Sequence, residues 1–344
     1  MLLMAGFSCA YHITIKIMDY KKKATSWDEQ ADLLISRGMV GDKTAIVRAL
    51  QSTNYYRLSG YWYPFRIVDP DDKSKRLDEF RDNTIFDAIW DRYIFDRELR
   101  LLVLDAIERI EVATRSQLMY HHAHAHGPFG YATNSLSLPN AKESERQTFL
   151  EGISRESKRS NEQFVKHFRN KYGNDHLRLP KDKAALPAWM LCEVVSFGTL
   201  CWFYKYSNDE VQKNIANTVN VPVVLFDSWL QALRIVRNTC AHHSRLWNKK
   251  IHHRERPQVP TNKKRFPDWH TNVIITNDHI FGILTICKYL LDQICPENHF
   301  VGRLTNLISE HPNIPLISMG FPDNWTQSPI WFIQDAHEPE DATD

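Results

Sequence analysis

Apolar residues recur at three- and four-residue steps through Phe86, Ile89, Tyr93, Leu99, Leu102, Ala106 and Ile110, which predicts a long helix starting near Thr84. "HHAHAHGPFG" ends it, and its imidazoles read as exposed on a frayed terminus. Upstream, Ser26 and Glu29 form a capping box for a first helix that closes at Arg37-Gly38; a second runs from Asp42 to about Ser52. Leu186 to Tyr204 is nearly unbroken apolar sequence and predicts one helix, with Pro187 in its first turn. A short helix precedes Pro222, a longer one follows from Val223, and Asn277 or Asp278 caps a last apolar helix ending near Cys295. The mixed-charge stretch 141–171 reads as a solvent-facing helical arm. Pairs at i,i+4, Asp96 with Arg100 and Glu111 with Arg115, read as solvated contacts on a helix face.

These elements predict an all-α protein with at most a small β element near the N-terminus. Residues 1–25 read as a poorly ordered extension and 26–83 as an N-terminal helical, aromatic-rich subdomain. Residues 84–296 form the main helical domain, with a charged insertion at 127–180, and 297–344 an irregular tail. Leu186–Tyr204 is long enough to span a membrane, but Glu193 near its centre costs roughly 2.5–3.5 kcal/mol on insertion. A buried helix is therefore expected, and no membrane partner. Glu193 is either a satisfied core acid or the partner of an arginine on the helix that follows Pro222.

That later helix carries the sequence's most unusual stretch, "IVRNTCAHHSRLW". With Trp229 at zero, an advance of 100° per residue brings Trp229, Leu233, Val236, Cys240 and Trp247 within about 40° of one another. They form a core stripe, and His243 points towards it. Arg234, Asn238, His242 and Arg245 gather on the opposite side, and Arg237 sits at the boundary. The helix is an ordinary amphipath whose polar face holds Arg, Asn and His in place of Lys and Glu.

Composition changes the picture little. Lys and Arg number 43 against 41 Asp and Glu, so affinity for nucleic acid has to come from local clusters. "RLWNKKIHHRER" supplies one, with Arg245, Lys249, Lys250, Arg254 and Arg256, beside Trp247 as a stacking ring if it is not core. "NYYRLSGYWYPFR", residues 54–66, is either an aromatic core corner or a base-stacking platform beside Arg57 and Arg66. Six cysteines without a CxxC pair read as buried free thiols in a reducing cytoplasm. The N-terminus lacks a basic residue ahead of its short apolar run, so no secretory leader is expected.

The Arg-Asn-His face suits phosphodiester chemistry. Imidazole exchanges protons near neutrality, and guanidinium matches phosphate oxygens and stabilises charge developing on them. Asn238 and His242 are four apart, so the amide can orient the ring. An RNA 2′-hydroxyl acting as nucleophile needs no metal or other cofactor. Arg237 and His242, however, lie about 140° apart on an ideal helix. They meet at one phosphate only if the helix distorts or two copies share a groove, which predicts a homodimer. The compact histidines of "HHAHAH" do not match a closed zinc set, and no metal is assigned.

"RNTCAH" resembles the Arg-x4–6-His signature of HEPN-superfamily ribonucleases. Together with "NYYRLSGYWYPFR", "FDRELRLLVLDAIERIEVATR", "PAWMLCEVVSFGTL" and "LRIVRNTCAHHSRLWN", in that order over roughly residues 26–250, it resembles the abortive-infection (Abi) family of AbiD/AbiF-like phage-resistance proteins. The resemblance implies a HEPN-like helical bundle, a dimer, and a metal-independent endoribonuclease acting as a toxin-type defence effector. Arg237, Asn238 and His242 are then central, supported by His243, Glu193 and Glu111. RNA contacts are expected from Arg57, Arg66, Arg234, Arg245, Lys249, Lys250 and Arg254. A structured small non-coding RNA is a further expected partner. Two other classes compete: a non-catalytic RNA-binding module, and a metal-dependent hydrolase built on the histidines.

Overall fold

The computed structural model describes residues 22–172 and 185–331. Most of the expected N-terminal extension, Cys9, part of the charged insertion and the end of the tail lie outside them. The chain forms two compact units, one running through Ile89 and the other from Trp90 onward.

In the first unit, α1 (Trp27–Ser36) starts at the expected capping box, in which Ser26 Oγ accepts from Glu29 N and the Glu29 carboxylate from Ser26 N. It stops before Gly38, whose φ of +95° few other residues tolerate. β1 (Met39–Val40), α2 (Lys43–Thr53) and α3 (Tyr55–Trp62) follow, then β2 (Arg66–Val68), β3 (Arg76–Phe80) and β4 (Thr84–Ile85). β1 pairs in parallel with β4, and β2 antiparallel with β3. The buried faces of α1 and α2, Ala31, Leu34, Ile46 and Leu50, pack together. Trp62 sets its ring edge-on to Tyr55 and Phe80.

α4 (Phe86–His126) is the predicted long helix, 41 residues without a break. Beyond it lie α5 (Gly130–Thr133), α6 (Glu143–Arg159), α7 (Gln163–Tyr172), α8 (Ala188–Val194) and α9 (Phe197–Tyr206). They are followed by α10 (Asp209–Thr218), α11 (Val223–Ala241), α12 (Ile280–Ile294) and α13 (Phe300–Glu310). The protein is all-α apart from the two small strand pairs. Among the described residues no single helix is long and apolar enough to cross a membrane.

Four expectations need correction. Leu186–Tyr204 is two helices, because Ser196 turns extended and caps α9 by accepting from Thr199 N at 3.2 Å. The charged stretch 141–171 is no free arm: α6 and α7 bury Phe149, Ile153, Val165 and Phe168, and Glu156 accepts from Ser196 N and Thr199 Oγ1. The end of α4 does not fray; His122 is fully buried against Phe203, its ring 5.1 Å from that of His126. The segment after residue 296 is not irregular throughout. Phe300, Leu304 and Leu307 give α13 a buried face, and the following turns bring Trp331 to stack on Phe281 at 5.5 Å.

Candidate functional site

α11 folds as its stripe dictates. Trp229, Leu233, Val236 and Cys240 are buried, and Trp229 Nε1 donates to the Gln258 carbonyl at 2.8 Å. Its C-terminus closes in two nested hydrogen bonds: His243 N donates to Cys240 O at 2.9 Å and Ser244 N to Thr239 O at 2.9 Å. This double closure needs a left-handed residue just past the cap, and His243 takes that role with φ +56° where glycine is usual. His243 is therefore exposed and does not point towards the core stripe. His242, the capping residue, is exposed as well.

Arg237 is the residue the fold treats most specifically. Its side chain is 40% exposed, and its Nε lies 3.7 Å from Oε2 of Glu111, a nearly buried carboxylate on α4. Glu111 is paired on its other oxygen with Arg115 one turn along. Arg115 in turn donates to the carbonyls of Cys192 and Val195 (the latter at 2.8 Å), which the break between α8 and α9 leaves open. Glu111 and Arg115 are thus not a solvated surface pair. They are a buried strut joining α4, the α8–α9 break and Arg237. The Asn238 amide oxygen accepts from Arg237 at 3.4 Å, and the Asn238 carbonyl accepts from His242 N at 3.0 Å. Arg237, Asn238 and Glu111 are brought together; His242 joins them through the backbone at the open end of the helix.

The turn after the motif is held from below. Asp96, completely buried on α4, accepts from Leu246 N at 3.1 Å and Trp247 N at 2.6 Å through one oxygen, and from Arg100 through the other. The Asp96–Arg100 pair is therefore not solvated either. Trp247 is buried and packs under the Arg92 guanidinium at 5.1 Å, so it is core and offers no stacking surface. Sequence reasoning missed Asp96, Arg100 and Arg115 as parts of the site's support. Their spacing matches any surface pair, and only burial separates the two cases.

The remaining candidates scatter. Lys249 is spent on Thr239 Oγ1 at 3.1 Å, whereas Lys250 and Arg254 are exposed and Arg245 is half-buried. Arg234 lies along Gly198, its Cδ 3.7 Å from where a side chain there would begin. Glu193 is exposed, neither a core acid nor within ion-pair distance of any arginine among the described residues. Arg57 and Arg66 belong to the first unit; Arg57 is exposed, while Arg66 pairs with Asp78 at 2.9 Å. Of the aromatic block, Tyr61 and Trp62 are core, and Tyr56 and Tyr63 face outward. Burial pushes the thiol of Cys240 up to about 12, so this cysteine beside the motif supplies no thiolate near neutrality.

A family model described as "Abi-like protein" matches residues 48–248, more than half of the chain and inclusive of the whole site. The chain belongs to the Abi-like family. That membership points to abortive infection, a defence against phage. No curated protein and no solved structure matches the chain.

Proposed function

We propose that this Abi-like protein is a metal-independent endoribonuclease of the HEPN kind, acting as the toxic effector of phage defence in the cytoplasm. The observation that carries the reading is Arg237, half-exposed on a buried carboxylate strut beside Asn238, with His242 exposed one turn on at the capped end of the same helix. A surface cation held by a buried anion keeps its direction and leaves its remaining donors for phosphate. His242 exchanges protons with the 2′-hydroxyl or the leaving oxygen, and Arg237 stabilises the charge that builds on the phosphorane. Asn238 holds Arg237 with its amide and His242 through its carbonyl, a role different from the ring-orienting one its spacing suggested. The site's exposure on one helix end suits a homodimer in which each copy lends its residues to a shared RNA groove. Lys250 and Arg254, just past the motif, supply phosphate-binding charge. The test is cleavage of RNA by purified protein in EDTA, compared with Arg237→Ala and His242→Ala.

A second reading, a non-catalytic module that binds a structured small RNA, draws on the first unit. There Arg76 lies over the exposed Tyr63 ring at 5.7 Å and Arg81 over Phe65 at 5.8 Å, and Tyr56 and Arg57 of α3 are exposed as well. Such arginine–aromatic pairs are ready-made stacking surfaces for bases. RNA that co-purifies equally with wild type and His242→Ala, with neither cutting, favours this reading.

A further inference from the structure

Away from the motif, α4 and the end of α13 bring three ligand-bearing side chains together. Glu98, Glu310 and His311 each offer one donor atom, all within 4.8 Å of one another. His311 is only 8% exposed, and Asp91 fixes its ring through a 2.5 Å hydrogen bond at Nδ1. An ionised carboxylate only accepts, so Nδ1 carries the proton there. Nε2 is then turned towards the carboxylates, with Glu98 Oε2 at 3.5 Å. Among the described residues it makes no hydrogen bond. An imidazole nitrogen and two carboxylates converging within 4.8 Å make a donor set that a cation between them holds together.

We infer that Glu98, Glu310 and His311 bind a divalent transition-metal ion that staples the end of α13 to α4. One imidazole nitrogen and two carboxylate oxygens match Zn2+ or Mn2+ better than Mg2+ or Ca2+, which favour all-oxygen shells. Metal bonds of about 2.0–2.2 Å place tetrahedral donors roughly 3.4 Å apart. Glu310, exposed and on the last turn of its helix, has the rotamer freedom to close the remaining gap. The carboxylate on the far side of the ring is the arrangement that orients metal-bound histidines elsewhere, so Asp91 is a positioning residue. Glu98 and Glu310 also line an open cleft, so these two carboxylates are reachable from solvent. The staple is structural and takes no part in the RNA chemistry proposed above, so either idea can fail without the other.

The test is a Zn2+ titration of chelator-stripped full-length protein, read by calorimetry and by thermal melting, against Glu310→Gln and Asp91→Asn. Glu310 is exposed, so its variant folds. The chain's other histidines contribute the same background binding to every variant. Wild type should bind one equivalent more than Glu310→Gln and melt higher with Zn2+, a shift that Glu310→Gln lacks. Asp91→Asn should keep the stoichiometry at about 10–100-fold lower affinity. Equal stoichiometry and equal melting shifts in wild type and Glu310→Gln overturn the site.

Discussion

Asp96 accepts the backbone N–H of Trp247 at 2.6 Å across 151 positions of chain. The same oxygen takes Leu246 N, and its neighbour is closed by Arg100, so a single buried side chain secures the turn that follows the His242 cap. Asp96→Ala strands two buried N–H groups and removes the carboxylate that Arg100 pairs with. The expected loss is about 3–5 kcal/mol of unfolding free energy, measured by urea denaturation. Asp96→Asn, which keeps one acceptor oxygen, should lose distinctly less. Equal losses would mean that the charge rather than the acceptor geometry holds the turn.

The two arginines around Glu111 should separate cleanly. Arg115 is nearly buried and serves a carboxylate and two carbonyls, so Arg115→Ala should cost about 2–4 kcal/mol. Arg237 is 40% exposed, its ion pair is screened by solvent, and Arg237→Ala should cost under about 1 kcal/mol. In the proposed nuclease the order reverses for function: Arg237→Ala abolishes cleavage in a protein that still folds. Chemical denaturation and RNA cleavage on the same preparations check both halves.

His243 gives a backbone prediction free of functional assumptions. Inside a helix, glycine is about 1 kcal/mol worse than alanine. At φ +56° the alanine Cβ is strained and glycine is not. His243→Gly should therefore be more stable than His243→Ala by about 0.5–1 kcal/mol. The opposite order would show that the turn does not hold this conformation in solution.

Burial, with a smaller contribution from His126, lowers the affinity of the His122 imidazole for a proton to a pKa of about 3. The unfolded chain takes up that proton below about pH 6.5, whereas the folded one does not until about pH 3. Stability should fall as the pH is lowered through this window, by up to about 1.4 kcal/mol per pH unit from this group. In His122→Phe the slope of stability against pH should be shallower between pH 6.5 and 4, as followed by urea midpoints.

The elements were legible where period alone decides. The capping box at Ser26, the full length of α4 and the buried stripe of α11 follow from side-chain order along one helix. What could not be read was which polar residues the tertiary structure buries. Asp96–Arg100 and Glu111–Arg115 have the spacing of surface pairs, and become struts only because α8, α9 and the turn after α11 cover them. His122 is similar, since nothing in "HHAHAH" tells which imidazole faces Phe203. Other misses had a signal. Ser196 and Thr199 sit at capping distance inside the apolar run, and Phe300, Leu304 and Leu307 keep a helical period through a stretch read as irregular. Glu193 misled through its apolar neighbours, because α8 presents that position to solvent.

In the proposed nuclease Arg237 and His242 cut RNA using its own 2′-hydroxyl, and this chemistry leaves a signature on the product. The direct measurement is end-group analysis of RNA treated with purified protein in EDTA, alongside His242→Ala. Wild type should yield fragments ending in 2′,3′-cyclic phosphate or the derived 3′-phosphate, with 5′-hydroxyl partners, and His242→Ala should yield none. Fragments with 5′-phosphates, cleavage that stops in EDTA while the protein stays folded, or full activity in His242→Ala would contradict it.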